Sequence, residues 1–139
     1  MEVLTNEIIY KKSPQELTAL LYEGIIIYLE ESIESIEGKN LLEANVKIQK
    51  ANDILHRLGV GLKYETGTIA EQLDTLYNYM ANMLIEANLR KDTGIIKNVL
   101  KIIEPIAVAW NEALKKKAPA QSVVSRQVSA YEKSIMRAY

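Results

Sequence analysis

Residues 68–91 read Thr-Ile-Ala-Glu-Gln-Leu-Asp-Thr-Leu-Tyr-Asn-Tyr-Met-Ala-Asn-Met-Leu-Ile-Glu-Ala-Asn-Leu-Arg-Lys, and this stretch decides the fold. Its apolar positions are Ile69, Leu73, Leu76, Met80, Met83 and Ala87. They are separated by alternating steps of four and three, the spacing of a helix that presents one apolar seam to its neighbours. Glu71 stands three residues after Thr68, an N-terminal helix signal. The pattern predicts a helix from about Thr68 to Lys91, with one face committed to a helical bundle.

Outward from this helix the same period recurs. Asp92 is suited to cap a following helix, whose stripe is Ile95, Ile96, Val99, Ile102, Ile103, Ile106, Trp110 and Leu114. Pro105 falls inside that run and cannot donate a backbone hydrogen bond to Lys101, so a kink is expected there. Toward the N-terminus, Asn40 with Glu43 opens a helix carrying Leu41, Ile48, Ala51, Leu55 and Leu58, and Gly59 and Gly61 are expected to end it. Before that, Ser13 is an N-cap, Pro14 suits the first helical position and Glu16 completes a capping box. Leu17, Leu21, Ile25, Tyr28, Leu29, Ile33 and Ile36 form the stripe of this first helix. Gly38 is expected to take the left-handed position after its last turn. No segment alternates with period two for long enough to read as a strand.

Four such helices with short connections imply an all-α, antiparallel four-helix bundle. The chain reads as one domain of 139 residues: an N-terminal arm (1–12), the bundle (13–117) and a C-terminal amphipathic segment (118–139). In the last segment Val124, Val128, Tyr131, Ile135 and Ala138 again step by four and three, which predicts a short fifth helix. Charge alternates along the bundle. Residues 14–37 hold six acids and no base, whereas 93–117 hold five bases and two acids.

Composition excludes several functions. With no Cys and a single His, His56, the chain offers no disulfide framework, no zinc ribbon and no thiol nucleophile. A duplicated Glu-x-x-His metal site needs a second His, so Glu30, Glu34 and Glu37 read as a solvated acidic face, with no metal and no cofactor. No glycine-rich phosphate loop and no catalytic triad is present. A net charge of −1 gives no nucleic-acid footprint. The opening residues lack a secretory signal, and the densest apolar run, Leu17 to Leu29, is too short to span a bilayer. A cytoplasmic protein that is not an enzyme is expected. What stands out is the apolar content of 48 %, more than four stripes need. Its surplus lies at Ile25-Ile26-Ile27 and along Ile102–Trp110, where covers or partners are expected.

Several stretches resemble the FliS family, cytoplasmic chaperones of flagellin export. Ser13-Pro14-Gln15-Glu16-Leu17 followed by Leu21-Tyr22-Glu23-Gly24 is similar to that family's opening signature. Ile69-Ala70, Leu73 and Leu76-Tyr77-Asn78-Tyr79-Met80 resemble its third-helix pattern. Ala87-Asn88-Leu89-Arg90-Lys91-Asp92 resembles its next turn, and Trp110 falls at a usual Trp position. The segment 121–138 exceeds the family's usual tail.

The resemblance implies a holding function. The partner would be flagellin's C-terminal segment, kept from premature polymerisation and passed to the export gate, by a monomer or homodimer. The candidate partner contacts are apolar residues of the second and third helices left over from the seam: Ile48, Ala51, Leu55, Leu58, Leu62, Leu73, Leu76, Tyr77, Met80 and Leu84. The sequence does not sort these into core and contact. Ile8, Ile9 and Tyr10 would serve as an N-terminal cap or export contact. The alternative is a helical adaptor or signalling bundle that recognises a folded partner.

Overall fold

The computed structural model describes residues 13–62 and 67–116. Four helices account for nearly all of them: α1 (Pro14–Glu37), α2 (Leu41–Gly61), α3 (Thr68–Arg90) and α4 (Thr93–Lys116). No strand occurs among the described residues. The helices pack in a ring: α1 lies against α2 and α4, and α3 against the same two. This is the antiparallel four-helix bundle expected from the stripes. The expected fifth helix, the arm 1–12 and the residues Ile8, Ile9 and Tyr10 lie outside the described residues.

Local signals account for most helix ends. The Ser13 hydroxyl accepts from the Glu16 amide, and the Glu16 carboxylate accepts from the Ser13 amide, closing the predicted capping box. The Asn40 side chain accepts from the Glu43 amide at the start of α2. The Asp92 carboxylate accepts from the Gly94 amide at 2.8 Å where α4 begins. Two expectations are corrected. Gly38 is not left-handed; its φ is −81°, and the turn is made one residue later by Lys39 at φ 60°. The chain therefore accepts a non-glycine residue in the left-handed region, held by the Asn40 amide donating to the Ser35 carbonyl. Gly59 lies inside the last turn of α2 and does not end it, whereas Gly61 is its last residue; the Leu62 amide donates to the Gly59 and Val60 carbonyls.

The core runs the length of the ring. Leu21, Tyr22, Ile25 and Leu29 of α1 meet Ile48 and Leu55 of α2, Leu76, Met80 and Leu84 of α3, and Ile96, Val99, Ile103 and Ile106 of α4. Each contributes roughly 1.5–3 kcal/mol by leaving water. α4 continues through Pro105, with Ile102, Ile103 and Ile106 buried around it. The apolar surplus noted in the sequence is largely absorbed by these contacts. Ile26 packs partly buried against the core, and of the apolar residues in the 102–110 run only Val108 stands well exposed, at 57 %.

Candidate functional site

Exposed large apolar side chains are unevenly distributed. Among the described residues there are seven, and six belong to α2 and α3: Leu41, Leu42, Val46, Val60, Ile85 and Leu89. Leu42 and Leu89 are exposed to 78 % and 82 %. α2 and α3 run antiparallel, so the start of α2 adjoins the end of α3. The Asn88 amide donates to the Asn45 side-chain oxygen at 2.7 Å and fixes that register. Leu42, Ile85 and Leu89 therefore gather at one end of the α2–α3 edge, and Val60 lies at the other.

Toward the Val60 end the two helices flank a cleft of about 390 Å³, lined by Asn52, Leu55, His56, Gly59, Val60, Asp74, Tyr77, Asn78 and Ala81. Gly59 and Ala81 create the space: neither carries a side chain beyond Cβ, so the facing ridges cannot interdigitate there. The cleft wall is part polar. Asn52 donates to the Ala81 carbonyl at a long 3.5 Å, and its buried side-chain oxygen has no hydrogen-bond partner among the described residues. A buried acceptor left without a donor costs about 1–3 kcal/mol, which a ligand N–H placed there would recover. Asp74 and Asn78 are exposed at the rim and bond to each other at 3.3 Å.

Behind the floor lies a buried phenol pair. The hydroxyls of Tyr77 and Tyr22 are 2.6 Å apart, joining diagonal helices α3 and α1. Burial pushes the Tyr22 hydroxyl up to about 12, and burial with the neighbouring Tyr22 pushes Tyr77 well above its ordinary value. Both stay neutral at physiological pH, and a neutral pair can share one proton donor and one acceptor. Trp110 packs edge-on against Tyr22 and donates its indole N–H to the Gln15 carbonyl at 2.9 Å. The floor of the cleft is thereby tied to the first turn of α1.

Nine of the ten contacts named from the sequence are buried in the chain's own core: Ile48, Ala51, Leu55, Leu58, Leu73, Leu76, Tyr77, Met80 and Leu84. Leu62 is half-buried and packs against it. Of the ten, Leu55 and Tyr77 also line the cleft. Sequence reasoning missed Asn52, Gly59, Val60, Asp74, Asn78 and Ala81, and it missed the exposed Leu42, Ile85 and Leu89. The last three carried a readable signal, because each is a large apolar residue off the stripe of its helix. His56, the single histidine, is exposed at the cleft wall. Among the described residues no group of three or more His, Cys, Asp or Glu could hold a metal ion, and no helix is long and apolar enough to cross a membrane.

The described residues form a small four-helix bundle with a part-polar cleft between α2 and α3. The chain belongs to the FliS family: the family model for flagellar protein FliS matches residues 4–117. It is similar to the flagellar secretion chaperone FliS of Bacillus subtilis (strain 168), 27 % identical over 103 residues, which covers 74 % of this chain and 77 % of that one. The FliS of Escherichia coli (strain K12) is 32 % identical over 104 residues, covering 73 % and 76 %. The FliS of Salmonella typhimurium (strain LT2) is 31 % identical over 113 residues, covering 80 % and 84 %. The resemblance read from the motifs is thus a family membership, and a chaperone family is not an enzyme family.

Proposed function

We propose that this protein is a cytoplasmic export chaperone that binds the disordered C-terminal segment of flagellin along the outer edge of α2 and α3. The observation that carries the reading is the concentration of exposed apolar side chains on those two helices, around a cleft. A disordered client binds by folding onto such an edge. Its apolar burial has to exceed an ordering cost of about 2–5 kcal/mol or more. Leu55 and Tyr77 supply the floor, while Val60, Leu42, Ile85 and Leu89 supply apolar contacts along the rim. The other eight sequence-derived residues act indirectly, by setting the spacing of α2 and α3. The client held this way cannot polymerise and is presented to the export gate. Ile8, Ile9 and Tyr10 are proposed to cap the groove or contact that gate. No chemical step is involved.

The test is titration of the full chain with a flagellin C-terminal peptide, followed by circular dichroism and calorimetry. The expected result is a complex at micromolar concentration with helicity above the sum of the parts and a negative heat-capacity change. A peptide that neither binds nor gains helix at that concentration overturns the reading. Binding that persists when flagellin's C-terminal segment is deleted transfers the function to a folded partner.

A further inference from the structure

We infer that the α2–α3 cleft is a specificity pocket for one arginine side chain of a bound helix, and that Leu42, Ile85 and Leu89 hold apolar side chains of the same helix about three turns away. The pocket stands on its own geometry. The helix that brings the arginine rests on the client reading above.

The cleft is rich in acceptors that lack donors. In its wall the Asn52 side-chain oxygen is buried and unpaired among the described residues. The amide that carries it is loosely held, because its Nδ2 reaches the Ala81 carbonyl only at 3.5 Å, beyond the roughly 2.7–3.2 Å of a good bond. Turning the oxygen toward a ligand therefore gives up little. At the mouth, Asp74 is held by the Asn78 amide, which donates to its Oδ2 at 3.3 Å. Its Oδ1 is left toward α2, where a Cβ added to Gly59 would stand 3.9 Å away. Glycine at 59 thus keeps the approach to the carboxylate open. From Thr68 to Leu89, α3 holds no Lys or Arg that could neutralise Asp74, and exposed Glu71 one turn earlier adds to its charge. Exposed Asp53 and Arg57 offset each other on α2, and neither lines the cleft.

These groups select a guanidinium. Its five N–H donors lie in one plane, so one group can serve Asn52 and Asp74 together. An ammonium is a compact, strongly hydrated point charge, and a neutral amide leaves Asp74 without a counter-charge. Leu55 and Tyr77 form an apolar and aromatic bed for the methylenes and the guanidinium plane. A volume of about 390 Å³ lies within the range of about 300–1,000 Å³ of pockets that hold small ligands.

The acidic face of α1 is the rival for any cation, and it carries more charge: Glu23, Glu30, Glu34 and Glu37 are all exposed there. These carboxylates stand in water, where an ion pair contributes little. Among the described residues α1 has no buried side-chain acceptor that lacks a donor. That face attracts an arginine without fixing it in one place.

The register of the edge sets the second contact. The lining residues centre near His56 on α2 and Asn78 on α3, while the apolar end centres on Leu42 and between Ile85 and Leu89. At 1.5 Å per residue the two points lie about 14–21 Å apart along the helices. A helix laid on the edge covers that distance in about 9–14 residues. The partner motif is therefore an arginine separated by about three turns from an apolar pair.

The first probe is N-acetyl-arginine N-methylamide, titrated into the isotope-labelled full-length chain beside its citrulline counterpart, which keeps the shape and removes the charge. The expected result is a saturable shift of the Asn52, Asp74, Asn78 and Ala81 resonances at millimolar arginine probe. Citrulline is expected to bind at least tenfold more weakly. Asp74→Asn, at an exposed position, and Asn52→Leu are each expected to weaken the arginine probe at least fivefold. No saturable shift, equal shifts from citrulline, or shifts centred on Glu30 and Glu34 of α1 overturn the inference. The second probe is the flagellin C-terminal peptide with each arginine replaced in turn by citrulline. One replacement is expected to weaken binding at least fivefold to the original chain but less than twofold to Asp74→Asn. That arginine is expected to lie about 9–14 residues from the apolar pair whose change to Ser also weakens binding. Peptide binding in which no arginine responds overturns the inference alone. An arginine probe that binds the cleft, together with a peptide that never binds, upholds the pocket and overturns the client reading.

Discussion

α2 has two edges, and they are built differently. Its edge toward α1 is closed. Lys47 reaches Glu31 of α1 and Glu43 of its own helix at 3.4 Å each, and Lys47 and Lys50 both sit over the Tyr28 ring. Burial opposes the charge on Lys47, but Glu31 and Glu43 outweigh it, and its pKa is raised. Its edge toward α3 is bridged instead by amides: Gln49 bonds to Asn45 on α2, and Asn45 bonds across to Asn88, next to a cleft with an unpartnered oxygen. One edge satisfies its polar groups within the chain. The other leaves both polar and apolar groups available. In the function proposed above, bundle stability and client recognition fall on opposite sides of one helix.

The contrast is broken most violently from inside. Leu76→Asp places a carboxylate in the centre of the core, and the expected cost is more than about 4 kcal/mol. Loss of a cooperative thermal transition is the readout. Such a variant reports on the core, so it cannot separate folding from binding, whereas substitutions at the exposed rim can.

The phenol pair behind the cleft gives the next largest effect. Both hydroxyls are raised in the folded state, so both hold their protons where the unfolded chain releases them. Their contribution is fully present below about pH 10, the unfolded value, and falls as pH rises toward the folded value, about 12 for Tyr22. For Tyr22 this amounts to about 3 kcal/mol over that window. Chemical denaturation at pH 8 and pH 11.5 is expected to show a steep loss, and the Tyr22→Phe, Tyr77→Phe double variant a shallower one. Equal slopes in the two proteins remove the pair from the account.

At the open edge, Leu42→Ser with Leu89→Ser is expected to change stability by no more than about 0.5 kcal/mol, since both are largely exposed. The same change is expected to weaken flagellin-peptide binding about tenfold by calorimetry. Unchanged affinity would move the client off this edge. The smallest effect belongs to the closed edge. Lys47→Ala is expected to lose less than about 1 kcal/mol, because Glu31 and Glu43 are substantially solvated, and the loss is expected to shrink at high salt. Peptide affinity is expected to remain at the original value. A tenfold drop there would erase the distinction between the two edges.

Much of the fold was legible because it depends on neighbours in sequence. The Ser13–Glu16 box, the Asn40 and Asp92 caps and the four-three spacing of Leu73, Leu76, Met80 and Met83 are local, and each operates as read. The turn at Gly38 was misread because the left-handed residue depends on which carbonyl the next amides reach. Here the Asn40 amide takes the Ser35 carbonyl and passes the strained position to Lys39. The site was harder to read. Of the residues named from the sequence, Leu55 and Tyr77 line the cleft; Leu42, Ile85 and Leu89 stand off the stripes of their helices, but only the packing shows that they are exposed.

The sequence by itself determined four helices, their polarity, the family and the absence of thiol or multi-histidine chemistry. Only the tertiary structure decided which apolar residues are free. Hydrophobicity is a property of a side chain, whereas burial depends on how each helix is rotated against its neighbours. Ile25 and Ile103 vanish into the ring, while Leu42 and Leu89, no less apolar, face outward. The cleft likewise exists because Gly59 and Ala81, twenty-two residues apart in the chain, line one space between two helices.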